Sequence, residues 1–252
     1  MTATPIVTAA VLVIGDEILS GRTKDKNIGF IAEMCTAVGI DLKEVRIVSD
    51  DEPDIVAALN ALRARYTYVF TTGGIGPTHD DITADCVAKA FGVPLDVHPE
   101  AVAILKERLA KTGGELNEAR LRMARVPRGA SLVANKVSGA PGFWMGNVIT
   151  MAGIPAVMQG MMDEVLPKLK TGVKLLSETI RADAKEGDVG TDLGVIAKAH
   201  PDTVIGSYPF IDESGPNTNI VVRARDAEKL STAKAAVERM LAEVRVRVAA
   251  AK

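Results

Sequence analysis

The sequence predicts an α/β protein, a three-layer α/β/α sandwich with a mostly parallel sheet, followed by a small ferredoxin-like α+β domain. In the first part of the chain, β-branched runs alternate with segments whose apolar residues recur at helical spacing. Strands joined by crossover helices form parallel sheets that are covered on both faces. Further on, the predicted order changes to β-α-β-β-α, which favours a ferredoxin-like domain. We therefore expect two domains, residues 1–171 and 172–252.

The sandwich begins with a predicted β-α-β-α-β segment. Gly39 is placed to end the first helix, and Asp51 can cap the second, which has Pro53 in its first turn. In order, the elements are strand Ile6–Ile14, a helix with Ile28, Ile31, Ala32 and Cys35 on one face, strand Ile40–Val48, a helix with Ile55, Ala58, Leu59 and Leu62 on one face, and strand Tyr66–Thr72.

The rest of the sandwich is predicted to mix helices with short strands. In order, we expect a helix carrying Ile82, Cys86 and Ala90, helices near Pro99 and at Leu116–Met123, strands Ser131–Ala134 and Val148–Met151 separated by a turn at Ala140–Asn147, and a helix from Ala152–Pro155 through Leu169. The second domain is predicted to contain strand Val173–Ile180, helix Val189–Ala199, strands Thr203–Tyr208 and Ile220–Arg225, and a long amphipathic helix with Leu230, Ala233, Val237, Leu241 and Val244 on one face.

A glycine-rich loop is expected after the Tyr66–Thr72 strand. It reads Gly73-Gly74-Ile75-Gly76-Pro77-Thr78-His79-Asp80-Asp81-Ile82-Thr83. Glycines let backbone N–H groups approach a ligand, and the first turn of a helix offers unpaired donors with partial positive charge. The loop therefore suits a phosphate and its metal, although it matches neither the P-loop nor the dinucleotide fingerprint. Thr78 and Asp81 are also spaced as in a capping box, so the acids have a purely structural interpretation as well.

Candidate segments follow three predicted strands, at Gly15–Glu17, Ser49–Asp51 and Gly73–Asp81. Because ligands of parallel α/β sheets bind at the carboxyl ends of strands, we expect these segments to share one edge. Asp81 and Asp50 are candidate ligands of a divalent ion such as Mg, Mn or Co, and Asp80 is a further candidate ligand or base. A metal belongs to this hypothesis because bare carboxylates would repel a diphosphate. The candidate phosphate donors are Gly73, Gly74, Gly76 and Thr78.

Composition restricts the partners. The 252 residues include 30 basic and 32 acidic side chains, so a net charge of −2 gives no general attraction to nucleic acid or to anionic membranes. The opening apolar run is too short to span a bilayer, and we expect a cytoplasmic protein. Cys35 and Cys86 are predicted to be buried free thiols, since neither belongs to a C-x-x-C pair or a ligand cluster.

The spacing Gly73-Gly74-x-Gly76-x-x-x-x-Asp81-x-Thr83 resembles the signature of the MoaB/Mog family of molybdopterin-binding domains. The longer form, with Pro77 and Thr78, resembles the branch that holds the N-terminal domain of competence/damage-inducible protein A and the molybdopterin-binding-like domain of eukaryotic FAD synthases. Two further segments agree in order: Ile14-Gly15-Asp16-Glu17-Ile18-Leu19-x-Gly21 with Asp25-x-Asn27, and Gly153-Ile154-Pro155. The second domain resembles the middle domain of competence/damage-inducible protein A relatives.

The resemblance implies further site residues. Gly153 and Pro155 correspond to the family's Pro-Gly-x-Pro segment, which forms the second wall of the site, although Ala152 replaces the first proline here. We expect Glu17, Asn27 and Gly21 to complete the pocket through ribose or metal-water contacts. The other expected substrate- or phosphate-binding residues of the matching motifs are Gly15, Pro77 and Thr83.

Other chemistry-bearing residues have structural interpretations beside functional ones. His79 is expected to face solvent. Trp144 and Phe143 are suited either to stack on a ligand ring or to close a small core. The arginines near the middle of the chain form either a basic rim for phosphates or a solvated helix face; they are Arg120, Arg122, Arg125 and Arg128.

Two functions remain. In the first, the resemblance implies a metal-dependent pyrophosphohydrolase that cleaves the diphosphate of ADP-ribose or FAD. In the second, the domain binds molybdopterin or takes part in its adenylylation during molybdenum cofactor biosynthesis, without hydrolysis. A purely structural protein would leave the glycine-rich loop and its acids without a purpose. The family also suggests self-association into a homo-oligomer.

Overall fold

The computed structural model describes residues 6–213 and 215–250 and divides into two compact units, Met1–Gly172 and Val173–Lys252. The first unit holds most of the regular structure. Its elements are β1 (Val7–Ile14), α1 (Asp16–Leu19), α2 (Asn27–Ala37), β2 (Ile40–Val48), α3 (Glu52–Arg65), β3 (Tyr68–Thr72), α4 (Thr83–Phe91), β4 (Leu95–Val97), α5 (Pro99–Thr112), α6 (Glu118–Leu121), β5 (Arg125–Pro127), β6 (Ser131–Val133), β7 (Gly142–Met145), β8 (Val148–Met151) and α7 (Pro155–Val165).

The main sheet has the strand order β2-β1-β3-β8-β7-β6. Strand β1 pairs in parallel with both β2 and β3, and β3 pairs in parallel with β8. The strands β7 and β6 extend the sheet antiparallel to β8. The predicted fold class, a mostly parallel sheet between helical layers, is confirmed.

Alternating residues of β1 build the two cores of this sandwich. Val11 and Val13 pack in the core that holds α2 and α7, whereas Leu12 and Ile14 pack with α3 and α4 on the opposite face. All four are at most 3% exposed, because a strand covered on both faces must be apolar throughout. The sheet is therefore packed between two helical layers, and the loops at its carboxyl edge are anchored to these buried strands.

Two predictions within this unit are wrong. Gly142–Met145 forms strand β7 and not part of a turn, because Gly142 accommodates the closely packed β8: a Cβ there would lie 2.3 Å from the Thr150 carbonyl oxygen. The capping-box interpretation of Thr78 and Asp81 is also wrong, because helix α4 begins at Thr83 and the pair closes a separate turn before it. The small antiparallel pair of β4 and β5 was not predicted from the sequence.

The second unit is a three-stranded antiparallel sheet with two helices. Its elements are β9 (Leu176–Arg181), α8 (Glu186–Ala199), β10 (Val204–Asp212), β11 (Gly215–Ala224) and α9 (Ala227–Ala250). The strand order β10-β11-β9 is that of a ferredoxin-like βαββα unit, as predicted. The prediction ended this strand at Tyr208, but β10 continues through Pro209 to Asp212, because an edge strand tolerates a residue without an N–H.

The apolar residues that the sequence placed in the cores are buried. Cys35 and Cys86 are both free thiols with no exposed surface, as predicted. Burial raises the pKa of each thiol to about 12, so both stay protonated and unreactive at neutral pH. No helix within the described parts of the chain is both long enough and apolar enough to cross a membrane.

Candidate functional site

The carboxyl edge of the sheet brings the first two predicted segments together. The Gly15 N–H donates to the Val48 carbonyl at 3.2 Å, and the Asp16 N–H donates to the Asp50 carboxylate at 3.0 Å. These bonds join the end of β1 to the end of β2. Asp50 is thereby held beside the short helix α1, which carries Asp16 and Glu17.

The glycine-rich loop packs against the same edge. Gly73 has φ +101° and lies so close to β1 that a Cβ would be 2.1 Å from the Ile14 carbonyl oxygen. A side chain at this position would force the loop away from the sheet. The loop therefore joins Gly15–Glu17 and Asp50 at one edge, as the strand order predicts.

Thr83 fixes the loop from its other end. Its hydroxyl donates to the Gly73 carbonyl at 2.9 Å, and its N–H donates to the Gly74 carbonyl at 3.0 Å. The side chain is fully buried, and Gly74 leaves the space that it occupies. Thr83 thus shapes the loop from beneath; its own hydroxyl is already engaged.

Asp81 closes the exposed turn of the loop. One of its carboxylate oxygens accepts the Thr78 N–H at 2.8 Å and the Thr78 hydroxyl at 2.5 Å. The carboxylate lies against Gly76, where a Cβ would be 2.6 Å from the same oxygen. Asp81 therefore has a demonstrable role in loop geometry, and its second oxygen has no hydrogen bond among the described residues.

Asp50 lies in a concentration of negative charge. Burial raises the pKa of Asp50, and the carboxylates of Asp16, Glu17 and Asp80 raise it further, against the lowering effect of the Asp16 N–H. Asp50 is therefore close enough to three other acids for their charges to affect its pKa. A divalent cation would relieve that repulsion, and the metal position at Asp50 stays a prediction.

The chemistry of the donor set suits a hard cation with few protein ligands. Within the described residues, no three His, Cys, Asp or Glu side chains are arranged to hold a metal ion on their own. Mg²⁺ is usually bound by one or two carboxylates, with water and substrate phosphates as its other ligands. Asp50 and Asp81, which has one carboxylate oxygen free of hydrogen bonds among the described residues, are the ligands that the sequence predicts for such an ion, and this assignment stays a prediction.

The second wall of the site is formed where α2 meets α7. The Asn27 side chain is 4% exposed and donates through Nδ2 to the Gly153 carbonyl at 2.8 Å. Gly153 in turn faces Gly73, since a Cβ on Gly153 would lie 3.3 Å from the Gly73 Cα. A pocket of about 50 Å³ opens here, lined by Glu17, Asn27, Thr72, Gly153 and Pro155 among others.

The sequence left the arginines undecided between a basic rim and a solvated helix face; in the structure Arg122 contacts the glycine-rich loop and Arg125 contacts helix α4. Arg122 donates through Nη2 to the Asp81 carbonyl at 3.2 Å, and Arg125 binds the Asp85 carboxylate at 2.9 and 2.7 Å. With Gly74 and Gly76 they line a cavity of about 10 Å³. Many residues separate these arginines from the loop in the sequence, so no local pattern predicts that they lie near it. The basic composition of the segment was the sequence signal that pointed to them.

Several other candidate residues do not contribute to the pocket beside Asn27. Gly21 is on an exposed turn where a Cβ would have no neighbouring atom within 4 Å, and Pro77 is exposed; neither lines the pocket beside Asn27. The His79 side chain is 99% exposed, as expected. Phe143 is buried and Trp144 packs edge-on against Tyr68 at 6.1 Å, so both aromatics close the core.

Comparison with known proteins identifies both units. A family model described as a probable molybdopterin binding domain matches residues 10–171, and one described as the FAD synthase middle domain matches residues 174–249. The family resemblance noted in the sequence is thereby confirmed.

Relatives of known sequence and structure agree. A CinA-like protein of Anaeromyxobacter dehalogenans is 36% identical over 165 residues, which make up 64% of this chain but only 40% of that relative. A protein of Archaeoglobus fulgidus is 30% identical over 235 residues, 93% of this chain and 98% of that one. The crystal structure of CinA, of unknown function, from Thermoplasma acidophilum covers 65% of this chain and 98% of its own, with 32% identity and a TM-score of 0.60.

Proposed function

The chain belongs to the family of probable molybdopterin binding domains. We propose that it is a divalent-metal-dependent pyrophosphohydrolase acting on ADP-ribose or FAD. The reaction adds water across the diphosphate. The water oxygen bonds to one phosphorus, the bond from that phosphorus to the bridging oxygen breaks, and the bridging oxygen leaves with the other phosphate. The water's protons pass to the products or to solvent.

The observation that carries the proposal is the group of acids beside a phosphate-binding type of loop. The pKa of Asp50 is raised by burial and by the charges of Asp16, Glu17 and Asp80. Asp50 lies at the sheet edge where Gly73 packs on β1. A protein that only bound an anion would gain nothing from four carboxylates at this position, because they repel a diphosphate. A bound divalent cation would supply charge neutralisation at phosphorus and lower the pKa of a water molecule.

The chain's own residues orient the substrate. Gly73, Gly74 and Gly76 present the backbone of the loop, and the first turn of α4 adds the positive end of the helix dipole beside a phosphate. Arg122 adds a cation on the loop's far side, next to the Asp81 carbonyl. Asp50, Asp80 and Asp81 are the candidate catalytic carboxylates, and Asp50 and Asp81 are the ones that would hold the cation.

Molybdopterin binding or adenylylation is the second candidate function. It is favoured by the description of the family whose model matches residues 10–171. Molybdopterin carries a phosphate that the same loop could bind, so the loop alone does not separate the two functions. Water-dependent cleavage of a dinucleotide does.

The test is product analysis after incubation of the pure protein with ADP-ribose, FAD or ATP and with Mg²⁺, Mn²⁺ or Co²⁺. We expect AMP from ADP-ribose or FAD, and on the order of 10²-fold less from Asp50→Asn. The matched control is Asp96→Asn. Asp96 is an exposed aspartate on β4 that pairs with Arg128, and it is not one of the four acids near Asp50. No turnover with any metal while molybdopterin binds would reject the hydrolase, and turnover that survives in Asp50→Asn would reject the role proposed for Asp50.

A further inference from the structure

Strand β10 lies at an edge of the sheet in the second unit. Among the described residues its one strand partner is β11, so the other side of its backbone has no strand beside it. An open edge offers N–H and C=O groups to a further strand, and proteins usually blunt such an edge with charged side chains, prolines or bulges. The opposite edge strand, β9, carries Glu178 and Arg181, whereas residues 204–211 of β10 are all uncharged. Strand β10 is therefore the edge that is open to pairing.

The register of the β10–β11 hairpin shows which backbone groups face the open side. Asp212 pairs with Gly215 across a connection of two residues, and the residues that flank such a connection exchange hydrogen bonds. Because bonded and non-bonded pairs alternate along an antiparallel ladder, the even-numbered residues of β10 bond to β11. The odd-numbered residues therefore direct their N–H and C=O groups outward.

Three odd-numbered residues decide how much of this edge can pair. Ile205 and Ser207 each offer one donor and one acceptor, whereas Pro209 has no N–H. A further strand would find complete backbone groups along Val204–Tyr208 and would lose a hydrogen bond at Pro209. The segment available for pairing is therefore Val204–Tyr208.

The side chains on one face of this segment are apolar and exposed. The Ser207 hydroxyl donates to the Glu186 carboxylate of α8 at 2.6 Å, so odd-numbered side chains face the helices and even-numbered ones face away. Val204 is 60% exposed and Tyr208 is 47% exposed on that outer face. The Tyr208 ring lies over Gly206, where a Cβ would be 3.2 Å from it. The outer face of the segment thus presents a β-branched residue, a glycine and an aromatic ring.

We propose that β10 pairs with β10 of a second copy of this chain, antiparallel and about a two-fold axis at Gly206. In this register Val204 lies opposite Tyr208 of the partner subunit, and a β-branched residue opposite an aromatic one is a favourable cross-strand pair. Ile205 exchanges its backbone hydrogen bonds with Ser207 of the partner subunit. The two-fold axis repeats each of these contacts, so the same segment supplies both sides of the interface.

A second copy suits this edge because the segment complements itself. Its residues carry no charge, so no like charges oppose each other across the axis. The prolines and hydrogen-bonding pattern also select the register: an axis at Ser207 would place Pro209 opposite Ile205 of the partner subunit and lose a hydrogen bond. At the axis itself, the missing side chain of Gly206 leaves room where the two strands approach most closely.

Disulfide trapping of Gly206→Cys tests the register. Opposite residues of a non-bonded pair have Cα atoms within the separation that a disulfide spans. Cys35 and Cys86 are buried and have raised pKa values, so the introduced thiol is the reactive one. We expect Gly206→Cys to form a covalent dimer on mild oxidation. The matched control Ile211→Cys lies on the same strand beyond Pro209, at a position that is 81% exposed, and is expected to stay largely monomeric at the same concentration.

Sedimentation equilibrium of the whole chain, from low micromolar to near-millimolar concentration, measures the association without a cross-link. We expect a monomer–dimer equilibrium for the wild type and an unchanged one for Ile211→Lys. Val204→Lys alters an exposed side chain and is expected to fold, but to dimerise roughly tenfold more weakly, because it removes both Val204–Tyr208 pairs. The double variant Val204→Lys, Tyr208→Glu is expected to recover dimerisation, since each lysine then faces a glutamate of the partner subunit.

Three results would overturn the pairing. They are a wild type that stays monomeric at every concentration, self-association that Val204→Lys leaves unchanged, and equal cross-linking of Gly206→Cys and Ile211→Cys. The wild type and Val204→Lys keep the proposal testable even if Gly206→Cys does not fold.

Discussion

Asp81 has a structural role in the glycine-rich loop beside its predicted role as a metal ligand. Its carboxylate closes the turn at Thr78, and the same side chain is a candidate metal ligand. Asp81→Asn keeps an oxygen that can accept both Thr78 bonds but removes the charge. If Asp81 holds the cation, turnover falls on the order of 10²-fold while the fold stays intact.

Asp81→Ala is the companion variant, because it removes the turn and the charge together. Steady-state turnover and circular dichroism of the two variants distinguish the roles. Near-normal turnover in Asp81→Asn, with loss only in Asp81→Ala, would restrict Asp81 to shaping the loop.

The two thiols make stability depend on alkaline pH. Cys35 and Cys86 have pKa values raised by burial from 9.0 to about 12 in the folded protein. Between these values the unfolded chain loses a proton that the folded chain keeps, so the contribution of each thiol to stability is constant below pH 9 and falls above it. The expected loss is about 1 kcal/mol per thiol at pH 10.

Urea unfolding between pH 7 and 10 measures this loss. The Cys35→Ala, Cys86→Ala double variant is the control, because its stability is lower at every pH but lacks this part of the alkaline decline. Parallel pH curves for the two proteins would show that the thiols are not protected as described.

At the residue scale, the sequence was sufficient to predict which acidic residues lie near one another at the sheet edge. Asp50 and the Asp16–Glu17 pair follow strands, and strand order brings them together. Thr83 was expected in the site, yet its hydroxyl is engaged with Gly73. Arg122 remained undecided, because its contact with the Asp81 carbonyl joins residues 41 positions apart. Periodicity carries no information on such a contact.

At the scale of elements, the loop between β3 and α4 depends on one buried hydroxyl. Thr83→Val leaves the Gly73 carbonyl without its side-chain donor, at an expected cost of about 1–3 kcal/mol in the free energy of unfolding. Because the loop carries the proposed phosphate donors, turnover should fall as well.

Thr83→Ser tests whether the hydroxyl is responsible, since serine can make the same bond. Thermal unfolding and turnover should both return toward the wild type in that variant. Equal losses in Thr83→Ser and Thr83→Val would mean that packing of the methyl group matters and the hydroxyl does not.

Element prediction succeeded where the pattern was long and regular. The alternation of β1, α2, β2, α3 and β3 follows from apolar spacing, caps and glycines, and the structure reproduces it. The failures are short elements. Strand β7 contains a glycine that normally signals a turn, and here that glycine instead lets two strands approach.

At the scale of the whole molecule, each unit buries its own set of apolar residues, on both faces of the sheet in the first unit. The first contains Leu12, Phe70 and Met158, and the second contains Val222 and Val237. Units with separate cores are able to fold separately. We expect residues 1–172 alone to keep the turnover of the whole chain, since the candidate carboxylates and the loop lie within them.

Expression of residues 1–172 and of 173–252, with circular dichroism and the turnover assay, measures this. A folded first unit without turnover would show that the second unit contributes to the reaction.

The sequence indicated that a second domain follows the first, because the order of the predicted helices and strands changes near residue 172. It could not indicate a catalytic dependence between the units, since no motif of the second unit carries recognisable chemistry.

The central claim is that water cleaves a diphosphate at the carboxyl edge of the sheet. The most direct test is mass spectrometry of the products formed from ADP-ribose and Mn²⁺ in ¹⁸O-labelled water. The account predicts AMP and ribose 5-phosphate, with a single ¹⁸O in one of the two, and loss of both products in Asp50→Asn. Absence of cleavage with every metal, or products that carry no ¹⁸O, would contradict it.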